Sequence, residues 1–178
     1  MKAAEKLIAQ LKAIDKVDEC YETCAKNQFY IIDEDETVIL QDACIDINLC
    51  FSVINSLLAT IYFIPVDGNG IIGKTMECCE AVIFNDISFS FIELKLNATS
   101  EKPRALKTNR TKAVSQLENT IKFFDEKLDG NYQGLLLEAI VATPNFYPRA
   151  NTSWQKFETK FLERNGIPLI ETKEKIYD

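Results

Sequence analysis

Two glutamates and a lysine in the middle of the chain, Glu80, Glu93 and Lys95, have the residue types and the spacing of a metal site. They lie in two apolar segments, CCEAVIF (78–84) and FSFIELKL (89–96), that flank a short polar turn. Such a pair of segments predicts an antiparallel hairpin. The register that centres the turn brings Glu80 opposite Glu93, with Cα atoms about 4.5–5.5 Å apart, and puts Lys95 on the same face.

Opposed carboxylates destabilise a hairpin unless something compensates their charge, and a divalent cation with oxygen ligands does so. Such an ion polarises a phosphoryl oxygen, while a neighbouring lysine stabilises negative charge in the transition state. Without metal, we expect the pair to share a raised pKa. Asp86 lies in the turn, too far from Glu93 to share its cation. The pattern is equally typical of an exposed strand face on which Lys95 pairs with both glutamates.

A second string, GNGIIGKT (68–75), matches the phosphate-binding pattern GxxxxGK[ST] and follows an apolar run. Ile71 and Ile72 disfavour a P-loop, because a loop whose amides wrap phosphate needs small residues. The same residues also fit a hairpin turn that leads into 78–84. A P-loop nucleotide binder therefore stays as a third interpretation.

The segment CCEAVIFNDISFSFIELKLN (78–97) resembles the catalytic hairpin of the PD-(D/E)XK, or restriction-endonuclease-like, nuclease superfamily. An acid opens one strand, and Glu-x-Lys follows on the next. The resemblance spans roughly residues 1–145 and implies an α/β (α+β) domain with a central mixed β-sheet flanked by helices, in the order αβββαβ. It also implies hydrolysis of phosphodiester bonds in DNA with Mg²⁺ or Mn²⁺ as cofactor.

The resemblance further implies roles for individual side chains. The implied catalytic residues are Glu80, Glu93, Lys95 and Gln116, with Glu80 and Glu93 as metal ligands. Gln116 stands where several members place a Gln or Lys on the next helix, and Lys112 lies one turn away. The equivalent of the family's first-helix glutamate stays open between Glu19 and Glu22. The chain departs from the usual pattern at Glu80, which stands in place of an aspartate preceded by proline.

Hydrophobic periodicity predicts the elements around this hairpin. The first part of the chain should hold a long amphipathic helix over 3–25, a hairpin of strands 29–32 and 37–40, and a strand over 43–53. Residues 48–63 fit a strand or a helix. The later elements should be a strand in 61–66, a helix over 111–128 capped by Gly130, a central strand after Gly134, a helix with Trp154, Phe157 and Phe161 inside that ends at Gly166, and a strand at 167–171.

No repeat or linker interrupts the chain, so we expect one nuclease-like domain over 1–178. It would comprise an acidic N-terminal part (1–50), a core (60–145) and a C-terminal helix and strand (151–171). The longest uncharged stretch, 47–66, is diluted by polar residues and lacks flanking basic clusters, which indicates a buried core segment and no membrane span.

The chain contains no histidine, which excludes Ser-His-Asp and Cys-His catalysis, a histidine general base and histidine metal ligands on this chain alone. The N-terminal residues lack the apolar stretch of a signal peptide, so we expect a cytoplasmic protein. In a reducing compartment the six cysteines should be free thiols, mostly buried.

The net charge of −7 is unevenly distributed. Residues 1–50 carry 5 Lys and 11 acids, and 51–178 carry 15 Lys or Arg and 16 acids. Between Lys95 and Lys112 the only acid is Glu101. The residues predicted to contact nucleic-acid phosphates are Lys102, Arg104, Lys107, Arg110 and Lys112.

Three functions follow. The first is a metal-dependent endonuclease acting on DNA, plausible as a subunit of an antiviral defence system. The second is a catalytically silent protein of the same fold, a binding or immunity-type module whose acidic N-terminal part faces a basic partner. The third is the P-loop nucleotide binder. A small acidic nuclease without a sequence-reading module would obtain its target from a protein partner or as a homodimer.

Overall fold

The helices and strands follow the hydrophobic pattern of the chain. A computed structural model describes residues 2–34, 37–73, 76–149 and 151–178. Its helices are α1 (Ala3–Leu11), α2 (Val17–Cys20), α3 (Pro103–Leu128) and α4 (Thr152–Asn165). Its strands are β1 (Glu22–Cys24), β2 (Gln28–Glu34), β3 (Thr37–Gln41), β4 (Cys50–Asn55), β5 (Ile61–Pro65), β6 (Ala81–Phe84), β7 (Ser88–Leu94), β8 (Leu136–Ala142), β9 (Leu169–Glu171) and β10 (Glu174–Tyr177).

A six-stranded mixed sheet runs in the order β1-β5-β6-β7-β8-β9. Strands β5, β6 and β7 form an antiparallel meander, and α3 then crosses over to β8, which lies parallel to β7. Strand β9 adds in parallel to β8, and β1 pairs antiparallel with β5. Because β7, β8 and β9 are parallel, their carboxyl ends lie at one edge of the sheet.

A second sheet of four strands, in the order β10-β4-β2-β3, covers one face of the first. Its inward residues, among them Phe29, Phe51 and Val53, share a core with residues of β5, β6, β7 and β8. The opposite face of the six-stranded sheet packs against α1, α3 and α4 in a second core. The predicted mixed α/β fold is present, but helices flank the central sheet on one face only.

Strand β7 contributes side chains to both cores. All seven of its residues are buried, and they alternate between the two faces of the sheet. Phe89 and Phe91 point into the helix-side core, whereas Ile92 and Leu94 point into the core between the sheets. A strand covered on both faces is expected to be apolar throughout, which makes the polar residue at its end, Glu93, conspicuous.

The predicted helix over 3–25 is wrong beyond its first turns. Helix α1 ends at Leu11, the short α2 follows a turn, and Lys16 between them has a left-handed backbone with φ 69°. Ile14 and Val17 are buried as predicted, so turns satisfy the same apolar spacing. Residues Glu22–Cys24, near the end of the predicted helix, form β1, because the edge of β5 offers backbone partners there.

The prediction for 43–63 is partly wrong. The strand starts only at Cys50, and the ambiguous stretch resolves into β4, a turn and β5. The remaining predicted elements are confirmed, except that α3 begins eight residues earlier than predicted, at Pro103, and has Asp129 as its C-cap in place of Gly130. Strand β10 is an addition that sequence periodicity did not indicate. No helix among the described residues is long and apolar enough to cross a membrane.

The expectation that all six cysteines are free thiols is also wrong. Cys44 and Cys50 form a disulfide with a Cα–Cα distance of 6.3 Å. Residues 44–49 form an irregular loop and not the predicted strand. This loop turns the side chains of Cys44 and Cys50 toward each other, so that a disulfide can join two residues close in sequence. The other four thiols are free, and two of them, Cys78 and Cys79, are buried.

Candidate active site

The hairpin of β6 and β7 has the predicted register. Phe84 lies in register with Phe89 next to the turn. Continued one pair beyond the last residues of the ladder, the same register brings Glu80 opposite Glu93. The carbonyl oxygen of Glu80 accepts the backbone N–H of Val66, at 2.9 Å. The main chain on both strands is therefore held in place where the two acids lie.

The alternation along the strands sends the acids toward the helix layer. Glu80 shares the face of Val82, and Glu93 shares the face of Phe91, and both apolar residues belong to the helix-side core. Lys95 follows two residues after Glu93, and its backbone N–H donates to the last residue of β8 at 2.7 Å. The three charged residues lie at the carboxyl end of β7, between the sheet and α3.

Asp86 lies at the far end of the hairpin, where it contacts the start of α1. Its Oδ1 accepts the backbone N–H of Ala4 at 3.0 Å, at the N-terminus of α1, and its Oδ2 lies 3.4 Å from the ammonium of Lys2. A carboxylate stabilises the positive end of a helix dipole. The prediction that Asp86 does not join Glu93 is confirmed.

Glu93 is buried completely, and its two oxygens have different surroundings. Oε1 is bound by the ammonium of Lys95, whose side chain is 15% exposed. Oε2 has no hydrogen-bond partner among the described residues. A buried charged oxygen without a partner costs free energy, so this atom is where a cation or a proton is expected.

Burial raises the pKa of both glutamates. The pKa of Glu80 is raised to about 7, first by desolvation and then by the negative charges of Asp33 and Asp67. The pKa of Glu93 is raised well above its ordinary value by desolvation, against the opposing effect of Lys95. Each glutamate also raises the pKa of other groups nearby, including the thiol of Cys79. The raised pKa predicted for the pair is present in both.

Gln116 lies on the inner face of α3 and is buried, which rules out a surface amide. Its Nε2 donates to the carbonyl oxygen of Cys78 at 2.8 Å, two residues before Glu80. Its Oε1 has no partner among the described residues. Lys112, one turn earlier, is exposed and lies 3.5 Å from Glu77. The sequence predicted both side chains on one flank, but only Gln116 is buried beside the strands.

Asp67 was missed as a candidate. It lies two residues after the end of β5, and its backbone N–H donates to the carbonyl oxygen of Glu80 at 3.2 Å. Its charge raises the pKa of both Glu80 and Glu93, and the thiol of Cys78 donates to its Oδ1 at 3.7 Å. The available signal was its position at the end of a strand that neighbours β6, although the sequence suggested only a turn there.

The donor set suits a hard cation in chemistry and is small in number. Carboxylate and amide oxygens are the ligands that Mg²⁺ prefers, and buried oxygens of Glu93 and Gln116 are without partners. Within the described ranges, no group of three or more His, Cys, Asp or Glu side chains is arranged to hold a metal ion. A Mg²⁺ ion at such a site would keep several water ligands, as this ion commonly does.

A basic groove runs along the outer face of α3. It is lined by Arg104, Lys107 and Lys112, by hydroxyl side chains of the same helix, and by one acid, Glu77, which pairs with Lys112. Lys102 is exposed directly before the helix begins. These four cations of the predicted phosphate-contacting set are thus on the surface.

The fifth, Arg110, must be withdrawn from that set. Its side chain is 4% exposed, and its guanidinium binds the carboxylate of Glu171 in β9 at 2.7 Å. The rings of Tyr147 and Trp154 lie against it, 5.4 and 4.9 Å from the guanidinium carbon. Helical spacing turns this residue inward, so its charge joins α3 to β9.

The P-loop interpretation loses its structural basis. Lys74 and Thr75 of the matching string lie outside the described residues. Ile71 and Ile72 are buried in the helix-side core, and the element that follows the string is β6. Residues 76–80 therefore supply no helix whose N-terminus could bind phosphate.

The candidate glutamates of the first helix are both exposed. Glu19 pairs with Lys16 at 3.2 Å, and Glu22 lies on β1 opposite Phe63. The charges with the largest effects on the pKa of the two site glutamates come from other residues. Neither position gains support as a further site residue.

Comparison with known proteins gives no relative: no family model, no curated protein and no solved structure matches the chain.

Proposed function

We propose that this protein is a Mg²⁺- or Mn²⁺-dependent nuclease of the PD-(D/E)XK type that hydrolyses phosphodiester bonds in DNA. One observation carries the proposal. Two buried carboxylates, Glu80 and Glu93, lie opposite each other at the end of a hairpin, with the ammonium of Lys95 bound to one of them. Buried like charges are costly to a fold, and catalytic sites are where proteins retain them.

The order of the elements supports the proposal. Helix α1 precedes a meander of β5, β6 and β7, and α3 then connects to β8 in parallel with β7. Apart from α2 and the four strands β1 to β4, which come between α1 and β5, this order agrees with the αβββαβ order that the resemblance implies. Glu80 directly precedes the second strand of that meander, Glu93 lies on the third, and Gln116 lies on the helix that follows.

The side chains have distinct roles in this proposal. Glu80 and Glu93 would hold the cation, which when bound supplies a positive charge that polarises the phosphoryl group. Lys95, fixed against Glu93, stabilises the negative charge that develops on the phosphoryl oxygens. Gln116, fixed by its bond to Cys78, orients a water molecule, from which its Oε1 accepts a hydrogen bond.

The groove along α3 supports a nucleic-acid substrate. Its cations Arg104, Lys107 and Lys112 lie on the helix that also carries Gln116. DNA affinity from such contacts falls as salt displaces them. A partner chain or a second copy would supply target choice, in keeping with a defence setting, because no sequence-reading element is recognisable among the residues that the structure describes.

A cleavage assay tests the proposal. Wild-type protein with Mg²⁺ or Mn²⁺ should cut single- or double-stranded DNA, and chelation should stop it. Lys95→Met should reduce turnover about 100- to 1,000-fold, because it removes one charge that acts in the transition state while it keeps most of the apolar stem. Glu93→Gln should do the same or more, and Glu101→Gln, an exposed acid outside the site, should leave turnover unchanged.

A separate observation favours a second function. The ammonium of Lys95 occupies an oxygen of Glu93, and raised pKa values favour the neutral carboxyls, so the site is also compatible with a catalytically silent binding module. In that case no DNA would be cut under any of these conditions. Salt-dependent DNA binding separates the two, because a module whose acidic residues 1–50 face a basic partner needs no affinity for DNA.

A further inference from the structure

A second polar pocket lies away from the candidate active site, on the outer face of the four-stranded sheet. Gln28, Ser52 and Ile54 point outward there, in alternation with the inward core residues of β2 and β4. Arg149 and Lys173 complete the walls of a cavity of about 570 Å³. That volume is in the range of small-molecule sites. None of the lining residues belongs to the candidate active site.

The guanidinium of Arg149 is held in place by neutral oxygens. It donates to the hydroxyl and the carbonyl oxygen of Thr143, at 2.7 and 2.9 Å, and its side chain is 36% exposed. Glu171 lies 3.7 Å away, but both its oxygens are bound by Arg110 at 2.7 and 2.9 Å. The charge of Glu171 is thus compensated by Arg110, and Arg149 keeps most of its own.

Lys173 is the second cation of the pocket. Its ammonium donates to the carbonyl oxygen of Ile47 at 3.0 Å, and no carboxylate among the described residues lies within salt-bridge distance of it. Desolvation and the charge of Arg149 lower its pKa from the ordinary value. Lys173 has no carboxylate partner among the described residues, and Arg149 shares Glu171 with Arg110, so the two cations that line this cavity favour an anion between them.

We propose that this pocket binds the phosphate monoester group of an organic ligand. A dianionic phosphate would accept hydrogen bonds from the guanidinium of Arg149 and the ammonium of Lys173. The amides of Gln28 and Asn145 add neutral donors to the lining. Ile47 and Ile54 give the organic part of the ligand an apolar wall, which a bare inorganic ion would not use.

Glu174 provides a variant with the opposite expected effect, because its carboxylate lines the same pocket and repels an anion. Removing its charge should therefore strengthen binding, whereas removing the charge of Lys173 should weaken it. A variant that merely disturbed the fold would weaken binding in both cases. Lys156→Gln, on the exposed face of α4, is the control that removes a charge elsewhere.

The experiment is calorimetric titration of the full chain at constant ionic strength, with thermal unfolding to confirm that each variant is folded. The probes are adenosine 5′-monophosphate, adenosine, inorganic phosphate, and an oligonucleotide with and without a 5′-phosphate. Binding of the monophosphate indicates a small-molecule source, and binding of the phosphorylated oligonucleotide alone indicates a strand end. Both outcomes support the proposal if the form without phosphate binds at least about tenfold more weakly.

Lys173→Gln should weaken that binding about tenfold or more, Glu174→Gln should strengthen it several-fold, and Lys156→Gln should not change it. Two results would overturn the proposal. One is the absence of binding by every phosphorylated probe at about 10 mM. The other is equal affinity in the wild type and Lys173→Gln. The outcome is independent of DNA cleavage, since neither variant alters the candidate active site.

Discussion

At the scale of single residues, burial decides what Glu80 and Glu93 can do. A glutamate on the surface ionises near its ordinary pKa, whereas Glu80 is 7% exposed and titrates near neutrality. Glu93 is buried completely and keeps its charge only through Lys95 or a cation. Burial makes the negative charges of these residues costly to the fold, and a bound cation would compensate them.

The metal-free protein should therefore lose stability as pH rises. Folding retains a proton on Glu80 between pH 4.5 and about 7, where the unfolded chain has released it. The free energy of unfolding should fall over that window by on the order of 3 kcal/mol for this residue and level off above it. Denaturant unfolding of wild type and Glu80→Gln at several pH values, in the presence of chelator, measures the difference.

The comparison with Glu80→Gln isolates this residue from the other acids, including Glu93, whose pKa is also raised by burial. The difference in stability between variant and wild type should grow as pH rises from about 5 to 7. A difference that stays constant with pH would mean that Glu80 ionises normally in the folded protein.

The sequence predicted these two positions because strand alternation and turn length fix a hairpin register. It did not reveal their depth of burial, which depends on α3 packing over the end of β7. Gln116 was placed on the correct helix, but whether it faced solvent depended on that same packing. Asp67 was missed because its proximity arises from the pairing of β5 with β6, a contact between segments far apart in sequence.

At the scale of elements, α3 has two sides with different tasks. One side carries Gln116 and the apolar residues that cover the sheet, and the other carries the exposed cations of the groove. Arg110 belongs to the first side despite its charge. Counting charges along the sequence assigned it to the groove, because a one-dimensional count does not distinguish the faces of a helix.

Arg110→Gln should destabilise the protein by about 3 kcal/mol, since it leaves the buried carboxylate of Glu171 without its main partner. Lys107→Gln, on the exposed face of the same helix, should leave stability unchanged and weaken DNA binding. Urea unfolding and a DNA-binding titration of both variants give the two measurements. Stability unchanged in Arg110→Gln, with DNA binding reduced as in Lys107→Gln, would return Arg110 to the groove.

Short elements were the least predictable part of the fold. The apolar spacing of 3–25 is satisfied by α1, a turn and α2, so periodicity could not locate the left-handed residue Lys16 that ends the helical path. The strand before β5 was shortened by the loop that the Cys44–Cys50 disulfide closes. Longer elements with a regular apolar pattern, such as β8 and the part of α3 from residue 111 onward, were predicted correctly because many residues follow one period.

At the scale of the whole molecule, the two stacked sheets explain the burial of the site. The four-stranded sheet fills the face that helices were expected to cover, and α1, α3 and α4 fill the other. The central strand β7 is thus enclosed on both sides, and the charged side chain of Glu93, near its carboxyl end, is buried in the core. The sequence indicated the meander and the crossover, but not that β10 would join β4 in parallel to complete the second sheet.

The acidic and basic residues of the chain lie in different parts of the fold. Five of the eleven acidic residues of 1–50, Glu5, Asp18, Glu19, Asp33 and Glu34, belong to α1, α2 and the second sheet, whereas three exposed cations line one groove along α3. A protein of net charge −7 can approach DNA only through such a local surface.

The central claim is that Glu80 and Glu93 hold one divalent cation, and Mn²⁺ titration followed by electron paramagnetic resonance tests it most directly. Wild type and the control Glu101→Gln should bind one Mn²⁺ per chain, and Mg²⁺ should compete for it. Glu80→Gln and Glu93→Gln should each weaken binding at least about tenfold, because each removes one charged oxygen ligand. Equal Mn²⁺ affinity in wild type and both variants, or no bound Mn²⁺ in any of them, would contradict the account.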